Sequence, residues 1–441
     1  MVRRLGERLG KALNDDVRLR ELWAWAMYDF ANSGYTTVIL TSVYSAYFVG
    51  VVADGRSWAT LAWTLALSLS YLSIMFTMPA LGARADARRG KRRLLFSSTV
   101  GCVAFTLLLF WAGKGDILWV LVFIALSNYC YCIGESVVGA FLPEIARPQA
   151  LGRVSGWGWG FGYFGGMLAL GLSLAFLTWA SARGWPAERY VPGIVVITAV
   201  LFALSALPSF LLLRERSAPS GVEEPGMLSR LAVSWRDVNR HFPDFRTLLL
   251  CGAAYQAGIA VVITLSSVYA TEAMGFTMAQ IMQLIFTVNI AAAVGALAFG
   301  HVQDRIGHRR ALTLTLCGWL VMVGIAVSSR SLASFWAAAA VAGLCIGSSQ
   351  SAGRAMVGLL APRSRLAEFF ALWTFAVQLA AVCGPISYGL VTWLSGGNHR
   401  LALACTGLFF LAGLLILSRM NFERGVQARD GAGMPQAVRL E

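Results

Sequence analysis

Twelve long apolar runs constrain the fold of this chain more than any other feature of its sequence. Each run reaches about the 20 residues that an α-helix needs to cross a bilayer. Hydrophobic residues make up 57% and charged residues 13% of the 441 residues, whereas a soluble domain carries roughly 25% charged residues. We therefore predict an all-α membrane protein with twelve transmembrane helices. The predicted helices cover residues 22–50, 58–82, 93–112, 117–142, 153–180, 192–213, 247–271, 278–301, 310–328, 332–360, 366–395 and 400–419.

The basic residues lie mostly on one side of these helices. An even number of spans places both termini on the same side, and that side holds 29 of the 36 lysines and arginines against 6 on the other. Because basic loops remain in the cytoplasm, we predict cytoplasmic termini in a bacterial inner membrane. This placement accounts for the formal net charge of +14, so we predict no nucleic-acid partner.

The longest cytoplasmic loop divides the helices six and six. The predicted organisation is a cytoplasmic segment (1–21), a six-helix bundle (22–213), a linker loop (214–246), a second six-helix bundle (247–420) and a cytoplasmic tail (421–441). The loop starts with proline, serine, glycine and glutamate, which is typical of a polar linker. Its later part, 228–239, is expected to form a short amphipathic helix on the membrane surface.

A Gly-x-x-x-Asp motif followed by basic residues occurs once in each half, between the second and third helix. The residues are Gly82, Asp86 and Arg92 in the first half, and Gly300, Asp304, Arg305 and Arg309 in the second. An aspartate and basic side chains in a glycine-containing turn predict a salt-bridged conformational latch. The aspartate can instead face the positive N-terminal end of a neighbouring helix. Positive-inside charge alone does not explain the duplication.

This arrangement resembles the major facilitator superfamily, in which a loop motif recurs between helices 2 and 3 and between helices 8 and 9. The resemblance covers the whole chain. It implies the major facilitator fold, with two six-helix bundles related by an axis along the membrane normal and a central cavity between them. Rocking of the bundles would then expose the cavity to each side in turn.

A narrower resemblance lies in the first helix, where the run from Trp25 to Tyr35 is similar to the signature of the vacuole effluxer family. That family contains fungal vacuolar amino-acid exporters and many functionally unassigned bacterial relatives. The Phe-Leu-Pro-Glu run ending at Glu144, the glycine-rich fifth helix, and Gln350 with Arg354 are also similar to it. The seventh helix departs from the pattern, because Gln256 follows Tyr255 where the family tends to carry an acidic residue.

Three charged residues, Asp29, Glu135 and Arg354, lie well within the predicted spans. Charged groups are costly there and indicate function. All three lie roughly 9–11 Å from the cytoplasmic helix ends at about 1.5 Å per residue, so we expect one shared layer. Three uses remain open: a proton-coupling carboxylate, a static ion network, and an arginine that binds a substrate carboxylate.

A polar helix face surrounds Asp29, because Asn32, Ser33 and Thr36 follow at helical spacing. Such a face predicts a cavity lining or a hydrogen-bonded seam between helices. The full set of predicted pathway residues is Tyr28, Asp29, Asn32, Ser33, Tyr35, Thr36, Tyr131, Glu135, Gln350, Arg354, Trp373 and Gln378.

Small residues repeat every four positions on two helices. The fifth helix has two such repeats, and the eighth has one: Gly158, Gly162 and Gly166; Gly152, Gly156 and Gly160; and Ala292, Ala296 and Gly300. Small residues at this spacing allow helices to approach closely. We expect these stripes to be packing and sliding surfaces between the bundles.

The function that this sequence favours is secondary transport of a small polar solute, such as an amino acid or related carboxylate, by proton coupling or by facilitation. Transport of a larger conjugate, such as a peptide fragment, and a non-transporting receptor are the alternatives. The sequence has no catalytic motif and no metal-ligand spacing, so we predict no enzyme activity, cofactor or metal. The expected partners are a small-molecule substrate, protons and membrane lipids, and the chain is expected to be a monomer.

Overall fold

The computed structural model describes residues 10–217, 227–276 and 278–432. Twelve helices in these ranges are long and apolar enough to cross a membrane, which confirms the predicted number. We number them in chain order as spans 1 to 12: Leu19–Val52, Ala59–Arg88, Lys91–Trp111, Ile117–Ile145, Pro148–Ser181, Ala187–Leu212, Pro243–Ser266, Gln283–Ile306, His308–Ser328, Leu332–Leu360, Arg363–Leu394 and His399–Ser418. The helices of spans 7 and 8 extend to Met274 and from Met278.

Several helices continue beyond their predicted ends on the side where the chain begins and ends, which we call the termini side. Span 2 ends at Arg88 instead of 82, and span 8 ends at Ile306 instead of 301. A helix satisfies its own backbone hydrogen bonds, so polar residues prolong it beyond an apolar run. Asp86 and Asp304 therefore lie in the last helical turns. The glycine-containing turns follow at Gly90 and Gly307, so the predicted placement of the aspartates within the turn is wrong.

Span 1 is irregular in its second half. Wide π-helical turns occupy Thr36–Ser42 and Phe48–Val52. The Thr41 hydroxyl donates to the carbonyls of Thr36 and Thr37, at 3.1 and 3.0 Å. Such turns are frequent at functional sites, and these lie on the far side, opposite to the termini.

Each half of the chain has its own hydrophobic core. In the second half, for example, the rings of Trp319 and Phe410 stack at 4.7 Å. The outward surface is apolar as well, since Leu61, Leu65 and Leu69 on one face of span 2 are each about 60% exposed. A face of this kind is expected to contact lipid.

The two bundles meet closely on the termini side. Residues 136–146 of span 4, 351–362 around the end of span 10 and 366–372 of span 11 are buried without interruption. The Ser155 hydroxyl donates to the Ser351 carbonyl across the bundles at 2.9 Å. Partly exposed residues follow these stretches toward the far side, so the space between the bundles is closed at the termini side.

A helix also forms within the long loop, where the sequence predicts one over 228–239. It covers Met227–His241 and is called the linker helix below. Arg230, Ser234 and Val238, spaced by four residues, form its buried face. The polar start of the loop falls largely on 218–226, outside the described residues. The loop also ends earlier than predicted, because residue 246 lies inside span 7.

Candidate functional site

The structure places Asp29, Glu135 and Arg354 in one cluster between the bundles. Arg354 of span 10 donates from both terminal nitrogens to Asp29 of span 1, at 2.5 and 3.1 Å. One of these nitrogens also donates to Glu135 of span 4 at 3.2 Å. The guanidinium of the second bundle therefore bridges two carboxylates of the first.

Neighbouring side chains fix this geometry. The guanidinium of Arg354 lies over the rings of Trp25 and Trp159, at 5.4 and 4.7 Å from their centroids. The Asp29 carboxylate fits beside span 5 because residue 158 is a glycine. A Cβ on Gly158 would lie 2.3 Å from the Asp29 carboxylate. Planar stacking and bidentate pairing both suit arginine better than lysine.

The two carboxylates differ in their surroundings. The side chain of Asp29 is 3% exposed and pairs bidentately with Arg354, whereas that of Glu135 is 29% exposed. Glu135 receives one bond from Arg354 and a second, at 2.8 Å, from the Asn32 amide. The residues after Glu135 are buried as far as Ala146, so its exposed part faces the far side of the cavity. Glu135 is thus the member of the cluster that a solute or water can reach.

The first Gly-x-x-x-Asp motif contacts the opposite bundle directly. The Asp86 carboxylate accepts from the backbone N–H of Glu368, at the start of span 11, at 2.9 Å. A Cβ on Gly82 would lie 2.6 Å from the Ala367 carbonyl oxygen. The glycine permits close approach, and the aspartate caps the positive end of a helix.

The second motif makes the same contact in the reverse direction. Asp304 of span 8 accepts from the backbone N–H groups of Gly152 and Arg153, at the start of span 5, at 2.9 and 3.2 Å. A Cβ on Gly300 would lie 2.7 Å from the Gly152 carbonyl oxygen. Each bundle therefore caps one helix of the other.

The arginines predicted for the latch do not pair with these aspartates, although Lys91 of the first motif lies within ion-pair distance of Asp86. Arg92 and Arg305 are exposed, and Arg309 donates to the Ser418 carbonyl at 2.7 Å. The nearest cation to Asp86 is Lys91 at 4.0 Å, while Asp304 has Arg153 of the opposite bundle at 3.4 Å. Because each aspartate points across the interface, it lies on a different side of the helix end from these arginines.

Two predicted pathway residues belong to the core of the first bundle. The Tyr28 hydroxyl bonds to Thr99 at 2.8 Å, and the Tyr35 hydroxyl bonds to Ser127 at 2.6 Å. Both tyrosines are 1% exposed, so they do not line the cavity. They lie roughly 100–120° around span 1 from Asp29, on a face that packs against aromatic side chains such as Phe202.

The polar face of span 1 contacts span 5 and is also partly exposed. Thr36 donates to the Ser33 carbonyl at 3.1 Å, and both residues are partly exposed. A Cβ on Gly162 would lie 2.9 Å from the Ser33 hydroxyl, and one on Gly166 would lie 2.9 Å from the Thr37 hydroxyl. This face therefore packs against span 5 while keeping part of its polar surface accessible.

Only one of the two glycine stripes of span 5, the one through Gly152, Gly156 and Gly160, faces the other bundle. Gly158, Gly162 and Gly166 face span 1 of their own bundle. The alternate stripe faces span 8 across the interface, since a Cβ on Gly156 would lie 2.3 Å from the Ala296 carbonyl oxygen. An offset of two residues turns a helix face by roughly 200°, so the two stripes serve opposite contacts.

The small stripe of span 8 likewise serves two neighbours. A Cβ on Gly347 of span 10, in the same bundle, would lie 1.9 Å from the Ala292 carbonyl oxygen and 2.7 Å from the Ala296 nitrogen. Ala296 and Gly300 also contact span 5. Only part of this stripe therefore faces the other bundle.

The second bundle contributes amide and aromatic side chains near the cluster. Gln256 donates to Gln350 at 3.0 Å, and Gln378 lies 3.5 Å from the Cys132 sulfur of the first bundle. Trp373 packs over the ring of Tyr255 with centroids 6.4 Å apart. Gln350, Gln378 and Trp373 are each partly exposed, as cavity-lining residues must be.

The sequence analysis missed the residues that support the cluster. Trp25 and Trp159 were not singled out as partners of Arg354, although both fall within the runs that resemble the family signature. It also missed a second buried ionic network, in which Lys91 pairs with Glu144 and Ser217 donates to the same carboxylate. The family-like Phe-Leu-Pro-Glu run was the available signal for Glu144. Among the described residues, no group of three or more His, Cys, Asp or Glu is arranged to hold a metal ion.

Comparison with known proteins places this site in context. Residues 44–430 match the family described as vacuole effluxer Atg22 like. The chain is 23% identical over 405 residues to the uncharacterized MFS-type transporter YxiO of Bacillus subtilis (strain 168), covering 90% of this chain and 93% of that protein.

Solved structures show the same fold at low identity. The human organic anion transporter MFSD10 superposes with a TM-score of 0.72 at 14% identity, covering 90% of this chain and 99% of the other. The proton:xylose symporter XylE superposes with a TM-score of 0.68 at 13% identity, covering 94% and 97%. The predicted major facilitator fold is therefore confirmed.

Proposed function

Because the chain belongs to the vacuole effluxer Atg22-like family and is a multi-pass transporter of the major facilitator type, we propose that it moves a small polar solute by alternating access with proton coupling. The observation that carries this proposal is the bridge from Arg354 to Asp29 and Glu135 across the bundles. A charge pair that spans the interface can form in one state and separate in the other.

The direction of opening follows from the orientation that the basic residues indicate. With 29 of the 36 lysines and arginines on the termini side, that side is cytoplasmic. The closed layer is then the cytoplasmic gate, and the exposed part of Glu135 faces outward. When this gate opens, the bundles part and Arg354 leaves at least one carboxylate.

A proton on Glu135 can replace the positive charge of Arg354 when Arg354 moves away. An unpaired carboxylate within the membrane is costly, so a proton on Glu135 would stabilise the state in which Arg354 has moved away. Amino acids and related polar solutes fit a cavity that combines this cluster with Gln350, Gln378 and Trp373. A receptor would have no need for an ionic bridge that is tied to bundle closure.

The test is transport by the full chain in proteoliposomes that contain a pH-sensitive dye. We expect the wild-type protein to exchange a labelled polar solute, such as an amino acid, and to move protons with it. Any solute exchange that Glu135→Gln still supports should no longer depend on pH. Glu188→Gln, at an exposed carboxylate outside the cavity, is the matched control.

Either of two results would contradict the proposal. One is a wild-type protein that binds polar solutes without exchanging them, as a receptor would. The other is a Glu135→Gln protein whose solute flux keeps the wild-type pH dependence.

A further inference from the structure

The charges of the central cluster do not balance. Arg354 supplies one positive charge, and Asp29 and Glu135 supply two negative charges when ionised. Both oxygens of Glu135 accept hydrogen bonds, from Arg354 and from the Asn32 amide, which suits the ionised form. A net negative charge at this depth requires a further cation or a proton.

A second observation indicates where that cation binds. The Asn32 side chain is 2% exposed, and its amide nitrogen is committed to Glu135 at 2.8 Å. Its amide oxygen is buried with no hydrogen-bond partner within the described residues. Leaving such an acceptor unpaired costs about 1–3 kcal/mol. The site therefore presents an unpaired amide oxygen beside the carboxylate whose charge is not balanced.

From these two observations we propose that Asn32 and Glu135 bind the primary ammonium group of a transported organic cation. An ammonium group has three donors and one positive charge, which match the unpaired amide oxygen and the excess carboxylate. This inference rests on the proposed transport function and names the substrate class of the same site.

The surroundings of Glu135 favour an organic ammonium over an anion. The Arg354 guanidinium is already bonded to both carboxylates, so it is not free to bind a substrate carboxylate. The partly exposed rings of Tyr131 and Tyr163 lie nearby. Their centroids are 5.4 Å from that of Tyr35 and 6.1 Å from that of Trp159, respectively. Aromatic faces attract ammonium groups.

The same carboxylate then exchanges a proton for the substrate. When Glu135 is protonated, binding of the ammonium releases that proton to the open side, and the carboxylate keeps its electron pair. When the ammonium leaves, a proton from the other side takes its place. The cluster never holds both, which makes the exchange an antiport of one ammonium for one proton. The titratable and charged neighbours of Glu135 are Tyr28, Asp29, Tyr131, Cys132, Tyr163 and Arg354.

The test measures binding to the full chain in lipid nanodiscs at alkaline pH. The probes are propylammonium and 2-phenylethylammonium, with 1-propanol, 2-phenylethanol, butyrate and 3-phenylpropionate as neutral and anionic matches. We expect the ammonium probes to raise the Tm, and at lower pH, where Glu135 is protonated, to release protons in calorimetry repeated in several buffers. Glu135→Gln and Asn32→Leu should each weaken this binding roughly tenfold or more, and Glu188→Gln should leave it unchanged.

The outcomes separate this inference from the transport proposal. If the anionic probes bind better than the ammonium probes, if sodium alone gives the stabilisation, or if Glu135→Gln binds the ammonium probes as the wild type does, the ammonium site is overturned. Proton-coupled transport of another solute can still hold in those cases. Ammonium binding that releases protons but gives no exchange in liposomes would instead overturn transport and leave the site standing. If Glu135→Gln fails to fold, Asn32→Leu alone decides the test.

Discussion

Arg354 is a buried cation well inside the membrane-spanning helices, and four side chains hold it. It pairs with Asp29 and Glu135 and stacks on two tryptophans. Removing one member of such a buried network leaves an uncompensated charge, which typically costs about 3–5 kcal/mol. The energetic role of the cluster can therefore be measured residue by residue.

A double-mutant cycle tests this coupling. We expect Arg354→Ala to lower the free energy of unfolding by about 3–5 kcal/mol. Combining it with Asp29→Asn should recover part of that loss, with an interaction free energy of about 0.5–3 kcal/mol. Thermal or denaturant unfolding in detergent would provide the values, with Arg309→Ala at an exposed position as control. Additive losses would show that Arg354 and Asp29 act independently.

The sequence predicted the charged residues of the site better than their neighbours. Asp29, Glu135 and Arg354 stand out because charges are rare in apolar runs, and helical rise alone gives their depth. The side of span 1 on which Tyr28 and Tyr35 lie was not predictable in this way. An apolar helix inside a membrane has hydrophobic residues on every face, so periodicity does not separate its lipid, core and cavity faces.

At the scale of helices, the two glycine stripes of span 5 make different contacts. Gly156 meets span 8 across the interface, whereas Gly162 meets span 1 of the same bundle. Sequence spacing identified the small residues but not their partners, because spacing carries no information about which helix is adjacent. The two stripes therefore have separate roles, and only the one through Gly156 lies between the bundles.

Substitutions along span 5 distinguish these surfaces. Gly156→Leu should keep the termini side from closing, since even its Cβ would lie 2.3 Å from a backbone oxygen. Gly162→Leu should instead destabilise the first bundle, by about 1–3 kcal/mol for overpacking. Gly171→Leu is the matched control, because nothing lies within 4 Å of its added Cβ. Unfolding and cysteine accessibility from the termini side would report the two effects.

These assignments have clear failure conditions. A Gly156→Leu protein that closes and transports like Gly171→Leu would show that span 5 and span 8 separate there in all working states. Equal stability of Gly162→Leu and Gly171→Leu would remove the packing role of the second stripe.

The paired helix caps predict a symmetric response. Asp86 and Asp304 each cap the start of a helix in the opposite bundle. Asp86→Asn and Asp304→Asn should each weaken closure of the termini side by up to about 2 kcal/mol, the largest effect expected for a charge at a partly buried helix end. Accessibility of cysteines placed in the closed layer should rise in both variants. Arg92→Gln, at an exposed residue of the same motif, should change little, and a larger effect there would favour a salt-bridged loop.

For the whole molecule, the number of spans followed from the length of the apolar runs, and the family resemblance supplied the arrangement of the bundles. Helix ends were misplaced because a helix extends into polar residues, as span 2 does to Arg88. The closed side was not predictable from residues such as Ser155 and Ser351. Both alternating states use the same sequence, and only the contacts between bundles distinguish them.

The central claim is that the Arg354 bridge stabilises closure of the termini side, and spin-label distances across the bundles test it most directly. In a background without native cysteines, exposed positions Arg92 and Arg363 would be labelled on the termini side, and Ser57 and Arg330 on the far side. We predict that the joint change Asp29→Asn with Glu135→Gln lengthens the distance between the first pair and shortens that between the second. Glu188→Gln should leave both distances at their wild-type values. Unchanged distances in the joint variant, with the protein still folded, would contradict the account.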